Sequence, residues 1–270
     1  MPRPRALAPS WRRQGLPLLG SLLSVMCGLL PGLAAAQGTP PTAAPAAPAA
    51  GFSDDFSGDV GLAVLHSASG IQGVRARNSV VPYLNFEKGR LFARIDTFGV
   101  KTLPLGAGHL ELLGQVRSDG YKGGGWSARK DPVPLGLGTL QVTPIGAFGL
   151  NVLHDFGASG GTLLQARYLA ELPLGRLTLY PELGLERQSA AYTRYYLGTT
   201  AADAAAAGRA YQPGAALNPY VGGLIELPLS GPWVLNLYLR RVFADRSLAN
   251  SPLAGHGHRD TGLLALTYRY

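Results

Sequence analysis

The chain has 270 residues, of which 37 are glycine, 46% are apolar, 15% are charged and one is cysteine. That much apolar content with so little charge excludes a disordered chain, and a lone cysteine excludes a disulfide scaffold. A formal charge of +8 invites a nucleic-acid reading, which the N-terminus removes.

Arg3, Arg5, Arg12 and Arg13 precede an apolar run from Leu18 to Leu30, broken by Pro31-Gly32 and followed by Ala34-Ala35-Ala36. A basic head, a short apolar core and an A-x-A site predict a cleaved secretory signal peptide over residues 1–36. The core is too short for a spanning helix, which needs about 20 apolar residues. Cleavage takes four arginines with it, lowers the net charge from +8 to +4 and removes Cys27, which follows Met26 and so lacks a lipoprotein context. The remaining bases are scattered, so no nucleic-acid partner is expected. Residues 37–51 read QGTPPTAAPAAPAAG. With no charge and no large side chain, this tract is expected to be a flexible spacer.

From residue 52 onward the hydrophobic period is 2. Leu177, Leu179, Pro181, Leu183 and Leu185 share one face, against Thr178, Tyr180, Glu182, Gly184 and Glu186 on the other. Segments around 109–118, 162–172 and 232–243 alternate likewise. A soluble sandwich and a membrane barrel both alternate in this way. Strands of 10–12 residues, short turns alternating with long loops, and a chain that stops inside a strand at Tyr270 favour the barrel. The expected fold is all-β: a transmembrane, antiparallel, up-and-down β-barrel over residues 52–270. About ten strands are expected, at 58–66, 79–87, 90–99, 109–118, 139–154, 162–172, 176–187, 217–227, 232–243 and 260–270. Twelve is the alternative, with two more strands in 119–138, a stretch that ten strands place at the periplasmic side.

The polar faces carry Asp96, Glu111, Glu171, Glu182, Glu186 and Glu226 against Arg94, Arg117, Arg167, Arg176, Arg240 and Arg269. In a lumen little wider than one packed with side chains, these charges are expected to pair. The closing strand places Leu264, Leu266, Tyr268 and Tyr270 on one face, with Leu263 as an exception, and is expected to pair with β-sequence near Val60, Leu62 and Val64. An amphipathic last strand ending in an aromatic also suggests recognition by the outer-membrane insertion machinery.

No motif carries chemistry. His256 and His258 lack a completing acid or cysteine, and no serine stands beside His154-Asp155. Gly120–Trp126 (GYKGGGW) lacks the spacing of a phosphate-binding loop and reads as a plain loop. Ala201–Ala210 is expected to form a short helix in a long loop. No catalytic, cofactor-binding or metal residues are assigned, and no cofactor is expected.

Five segments, PYLNFEKGRLFAR (82–94), LGLGTLQVTPIGAFGL (135–150), YTRYYLG (192–198), LANSPL (248–253) and GLLALTYRY (262–270), resemble the MipA/OmpV family in order across most of 52–270. The family's more usual terminal phenylalanine is Tyr270 here. The resemblance implies a barrel in the outer membrane of a Gram-negative cell. It also implies a non-enzymatic scaffold joining a murein hydrolase to a murein synthase, with a porin-like channel as the alternative and a barrel hydrolase as a weaker one.

Overall fold

The computed structural model describes Phe52 and residues 54–270. The expected signal peptide (1–36) and spacer (37–51) lie outside the described residues.

The chain forms strands β1 Ser57–Ser67, β2 Arg77–Lys88, β3 Leu91–Arg94, β4 Thr97–Leu105, β5 Gly108–Gln115, β6 Tyr121–Gly123, β7 Trp126–Arg129, β8 Pro134–Thr143, β9 Gly146–Asp155, β10 Thr162–Leu169, β11 Leu172–Leu174, β12 Leu177–Gln188, β13 Ala216–Pro228, β14 Trp233–Phe243 and β15 His258–Arg269. Helices α1 Ala190–Leu197, α2 Ala201–Ala207 and α3 Arg246–Ala249 lie in the connections. Each barrel strand pairs antiparallel with the next, β10 pairs with β12, and β15 returns to β1. Short β11 continues β10 along the same partner, and β6–β7 is a separate hairpin. The result is a closed barrel of twelve strands. Closure matters physically, because it leaves no full-length edge to be satisfied inside lipid.

The seam pairs Val60 with Tyr268, Leu62 with Leu266 and Val64 with Leu264, as the sequence predicts. Faces follow the period-2 pattern: Glu182 is 2% exposed and points inward, while its neighbour Leu183 is 58% exposed on the outside. Leu62, Val80, Leu112, Leu150, Leu239 and Leu264 continue this apolar belt around the barrel. An exposed apolar belt around a closed barrel with a charged interior is the lipid-facing pattern. Trp233 and Tyr268 meet edge to face at 5.6 Å near the short-turn end, with Tyr270, Phe56 and Phe86 beside them, forming part of an aromatic girdle. No described helix is long and apolar enough to cross a membrane.

The ten-strand count needs correction. The expected strand 90–99 is a hairpin turning at Ile95-Asp96, and 139–154 is a hairpin turning at Pro144-Ile145. A two-residue turn reverses which parity points inward: Phe92 and Arg94 face the lumen on β3, then Thr97, Gly99 and Lys101 on β4. Stretch 119–138 supplies no extra barrel pair, only β6–β7 and the start of β8, and it sits at the long-loop end. The helix expected at 201–210 forms over Ala201–Ala207.

A strutted and plugged lumen

The lumen is organised as charged clusters stacked from the short-turn end to the long-loop end. Lowest, Arg269 donates to both oxygens of Asp59 at 2.6 Å and to Glu226 at 3.0 Å. On the adjoining wall Arg94 donates to both oxygens of Glu111, at 2.8 and 2.9 Å, and to Glu87 at 3.2 Å, which also takes Lys101 at 2.6 Å. Higher, Arg240 donates to Glu182 at 3.1 Å and pairs with Asp96 at 3.6 Å. Tyr220 and Tyr238 add their hydroxyls to Glu182, with the Arg240 guanidinium over both rings. Near the loop end Arg117 grips Glu186 at 2.6 and 3.0 Å and reaches Asp119 at 2.7 Å.

Several of these contacts cross the barrel. Arg117, just past β5, meets Glu186 of β12; Arg240 of β14 meets Asp96 at the β3–β4 tip; Gln165 of β10 donates to Gln115 of β5 at 2.9 Å. They act as struts. Shared, bidentate geometry is what makes such buried charges tolerable, since an unpaired one costs several kcal/mol. The expected pairing therefore holds for Glu111–Arg94, Glu186–Arg117, Glu182–Arg240 and Glu226–Arg269. Arg176 is a correction: it lies exposed in the turn before β12 and faces no lumen partner.

Apolar clusters lie among the charges. Leu263, the exception to alternation in the last strand, packs inward with Ala63, Tyr83, Leu224, Tyr238 and Ala265. A second cluster, of Phe92, Leu113, Leu153 and Leu163, receives Tyr192 and Tyr196 of α1. Helix α1 starts at Ser189, whose side chain accepts from the Tyr192 backbone N–H, an ordinary N-cap. Its two tyrosines, one turn apart, share a face and fill the loop end of the lumen.

The long loops fold together over this plug. Tyr192 donates its hydroxyl to Asp119, which also pairs with Arg259. Burial opposes ionisation of Asp119, but Arg117 and Arg259 outweigh it and hold the carboxyl well below the usual range. Asp203 completes a capping box with Thr200 on α2, accepts the Ser127 N–H at 2.8 Å and pairs with Arg129 at 3.2 Å. Burial pushes that carboxyl up, and backbone N–H donors from Ser127 and Thr200 push it further down. Ile71, Tyr121 and Leu253 make a small core beneath, where burial raises the Tyr121 phenol to about 12. Gly124 lets the β6–β7 tip approach the turn at residues 71–74, since a Cβ there would meet the Gln72 carbonyl at 2.6 Å.

The residues tested for chemistry have structural surroundings. His154 points outward onto Phe156 at 4.7 Å, while Asp155 points inward and accepts from Val133, Gly157 and Ser159. Adjacent strand residues face opposite sides, so the two form no dyad. His256, exposed in the loop before β15, stacks at 5.9 Å on His258, the first residue of that strand. Among the described residues no group of three or more His, Cys, Asp or Glu is placed to hold a metal. The plug helix was the feature hardest to see. The only sequence cues were Ser189 as a cap and the Tyr192–Tyr196 spacing.

This geometry, a closed barrel under folded loops, spans the same residues as a known family model. The model described as MltA-interacting protein MipA matches residues 60–270. The chain belongs to the MipA family. It is also 25% identical over 130 residues to outer membrane protein Omp26La of Vibrio anguillarum, an alignment covering 48% of this chain and 51% of that protein. The chain thus spans about half the length of the curated relative it matches. Fold, belt and family together make it an outer-membrane β-barrel of the MipA type.

Proposed function

We propose that this MipA-family barrel is a non-enzymatic scaffold that holds murein-remodelling enzymes at the outer membrane. The observation that carries this reading is the lumen: struts cross it and two tyrosines plug it, so binding work falls to the mouths and the N-terminal segment. The family's description as interacting with MltA supports a murein hydrolase as one partner, and the resemblance adds a murein synthase. With the short turns facing the periplasm, the mouth at that end would face the murein. Phe52 stands at that mouth, 4.9 Å from the His109 ring and beneath the Arg90 guanidinium at 4.7 Å.

Co-purification from native membranes tests this. The expected result is recovery of murein enzymes with the intact barrel, and loss of them when residues 37–51 are deleted and the 229–232 turn is replaced. Undiminished recovery with both changes would overturn the proposed docking surface, and recovery of none with the intact protein would overturn the scaffold. The insertion machinery is the second expected partner, through the last strand. Tyr270 packs on Phe56 and Tyr268, and its N–H donates to Gly58 at 3.0 Å. Deleting Tyr270 is expected to lower the heat-modifiable, folded fraction in cells far more than in refolding from denaturant into detergent. Equal loss in both would make it a stability residue only.

A further inference from the structure

The barrel wall has a notch. β3 has four residues, so β2 pairs with it only from Asn85–Arg94 to Lys88–Leu91. Above that point β2 has β1 alone. The Ile95 N–H donates to the Leu84 carbonyl at 2.9 Å, which fixes Leu84 on the β3 side of the strand. Alternation then puts the backbone groups of Pro82, Val80 and Asn78 on the same open edge. Among the described residues none of these groups has a ladder partner. Proline is tolerated in a sheet where its absent N–H faces an open edge, and Pro82 occupies such a position. The hairpin below turns at Ile95, a β-branched residue at φ 59. Above, Arg77 bridges the gap to Ser118 at 2.7 Å and to Asp131 at 3.7 Å.

The notch opens onto lipid at the level of the apolar belt: Val80, with 72% of its surface exposed, faces outward there. Directly below the hairpin tip begins an outward-facing apolar groove of about 710 Å³, lined by Phe98, Val100, Leu112, Leu135, Val152 and Phe156. Gly114 forms its floor, where a Cβ would meet Phe98 at 2.8 Å and Leu135 at 2.9 Å. The groove crosses β4, β5, β8 and β9, about 14 Å at roughly 4.8 Å per strand.

We propose that notch and groove form one site for an anionic, acyl-chain-bearing lipid of the surrounding leaflet. The Val80 and Asn78 N–H groups take oxygens of its carbonyl region, Arg75 and Arg77 attract its phosphate, and an acyl chain fills the groove. An unpaired N–H in hydrocarbon is costly, and a lipid carbonyl brings the missing acceptor to that depth. A second copy adding a strand is disfavoured by the same residue: Pro82 breaks the ladder in the middle of the edge. The proposal rests on the membrane placement and is independent of any murein partner.

The test is photolabelling of the mature barrel in phosphatidylethanolamine vesicles carrying a phosphatidylglycerol probe with a diazirine in its acyl chain. Several-fold more label at residues 80–84, 95–100 and 112 than at the equally outward Leu183, Leu217 and Leu266 is expected. Uniform labelling around the belt would overturn the site. Gly114→Leu, checked for heat-modifiable folding, should lower the excess at 98–112; excess label that survives a filled groove would overturn the acyl assignment. A phosphatidylcholine probe, which keeps the phosphate but carries no net charge, giving the same excess would overturn the preference for an anionic lipid. Intermolecular disulfides from Val80→Cys would replace the lipid with a second copy.

Discussion

Glu186 shows how much a single lumen residue holds. Its carboxylate accepts from Arg117 twice and from the side-chain amides of Gln165 at 2.9 Å and Gln188 at 2.7 Å. Glu186→Leu leaves the Arg117 charge with Asp119 as its remaining short-range acid and strands the Gln188 amide, while Gln165 keeps Gln115 as an acceptor. Removing one partner of a buried pair costs about 3–5 kcal/mol. Urea unfolding in lipid vesicles is expected to show a loss of that order. The double change Glu186→Leu with Arg117→Leu should recover much of it, because two apolar side chains replace the pair without leaving a charge behind. If the double variant is as unstable as the single one, the network's hydrogen bonds and not its charge balance carry the stability. That Glu186 faces inward was legible in the alternation from Leu177 to Leu185. Its partner was not, because residues 117 and 186 meet only after strand number and register are fixed.

At the scale of elements, the same alternation hid two strands. Ile95-Asp96 contains no glycine, proline or asparagine, and a β-branched residue with positive φ is among the least expected turn formers. The Pro144-Ile145-Gly146 turn did carry the usual residues, yet the apolar pattern ran on to either side of it. The cap offers an element with a pH dependence. The Asp203 carboxyl lies below its ordinary value in the folded state, since Ser127 and Thr200 donate to its charged form. A depressed pKa gives stability that is complete above the unfolded value of about 4 and is lost as pH falls through the folded one. Asp119, with its carboxyl likewise depressed, adds to the same window. Proteolysis of segment 199–215 is therefore expected to be slow at pH 6 and to accelerate below pH ~4. Asp203→Asn should raise cleavage at pH 6 and flatten that rise. A variant as resistant as the parent at pH 6 would show that α2 is held by packing alone.

For the molecule as a whole, two barriers stand in series along the barrel axis. The tyrosine plug of α1 closes the loop end, and the Arg240 cluster with its Glu182 and Asp96 partners crosses the middle. Flow through barriers in series is set by the tighter one, so removing either alone should change conductance little. Planar-bilayer recording of the intact barrel is expected to be nearly silent. Replacing residues 190–197 with a Gly/Ser linker should leave it nearly silent, because the mid-lumen cluster remains. Adding Arg240→Ala and Glu182→Ala removes an acid and a base together, keeps the charge balance and takes out the second barrier. Steady channels are expected only in that combined variant. Open channels in the intact protein would show that the struts part under an applied field, and the porin reading would then displace the scaffold. Silence in the combined variant would move the seal to the turn end, where Arg269 joins Asp59 and Glu226.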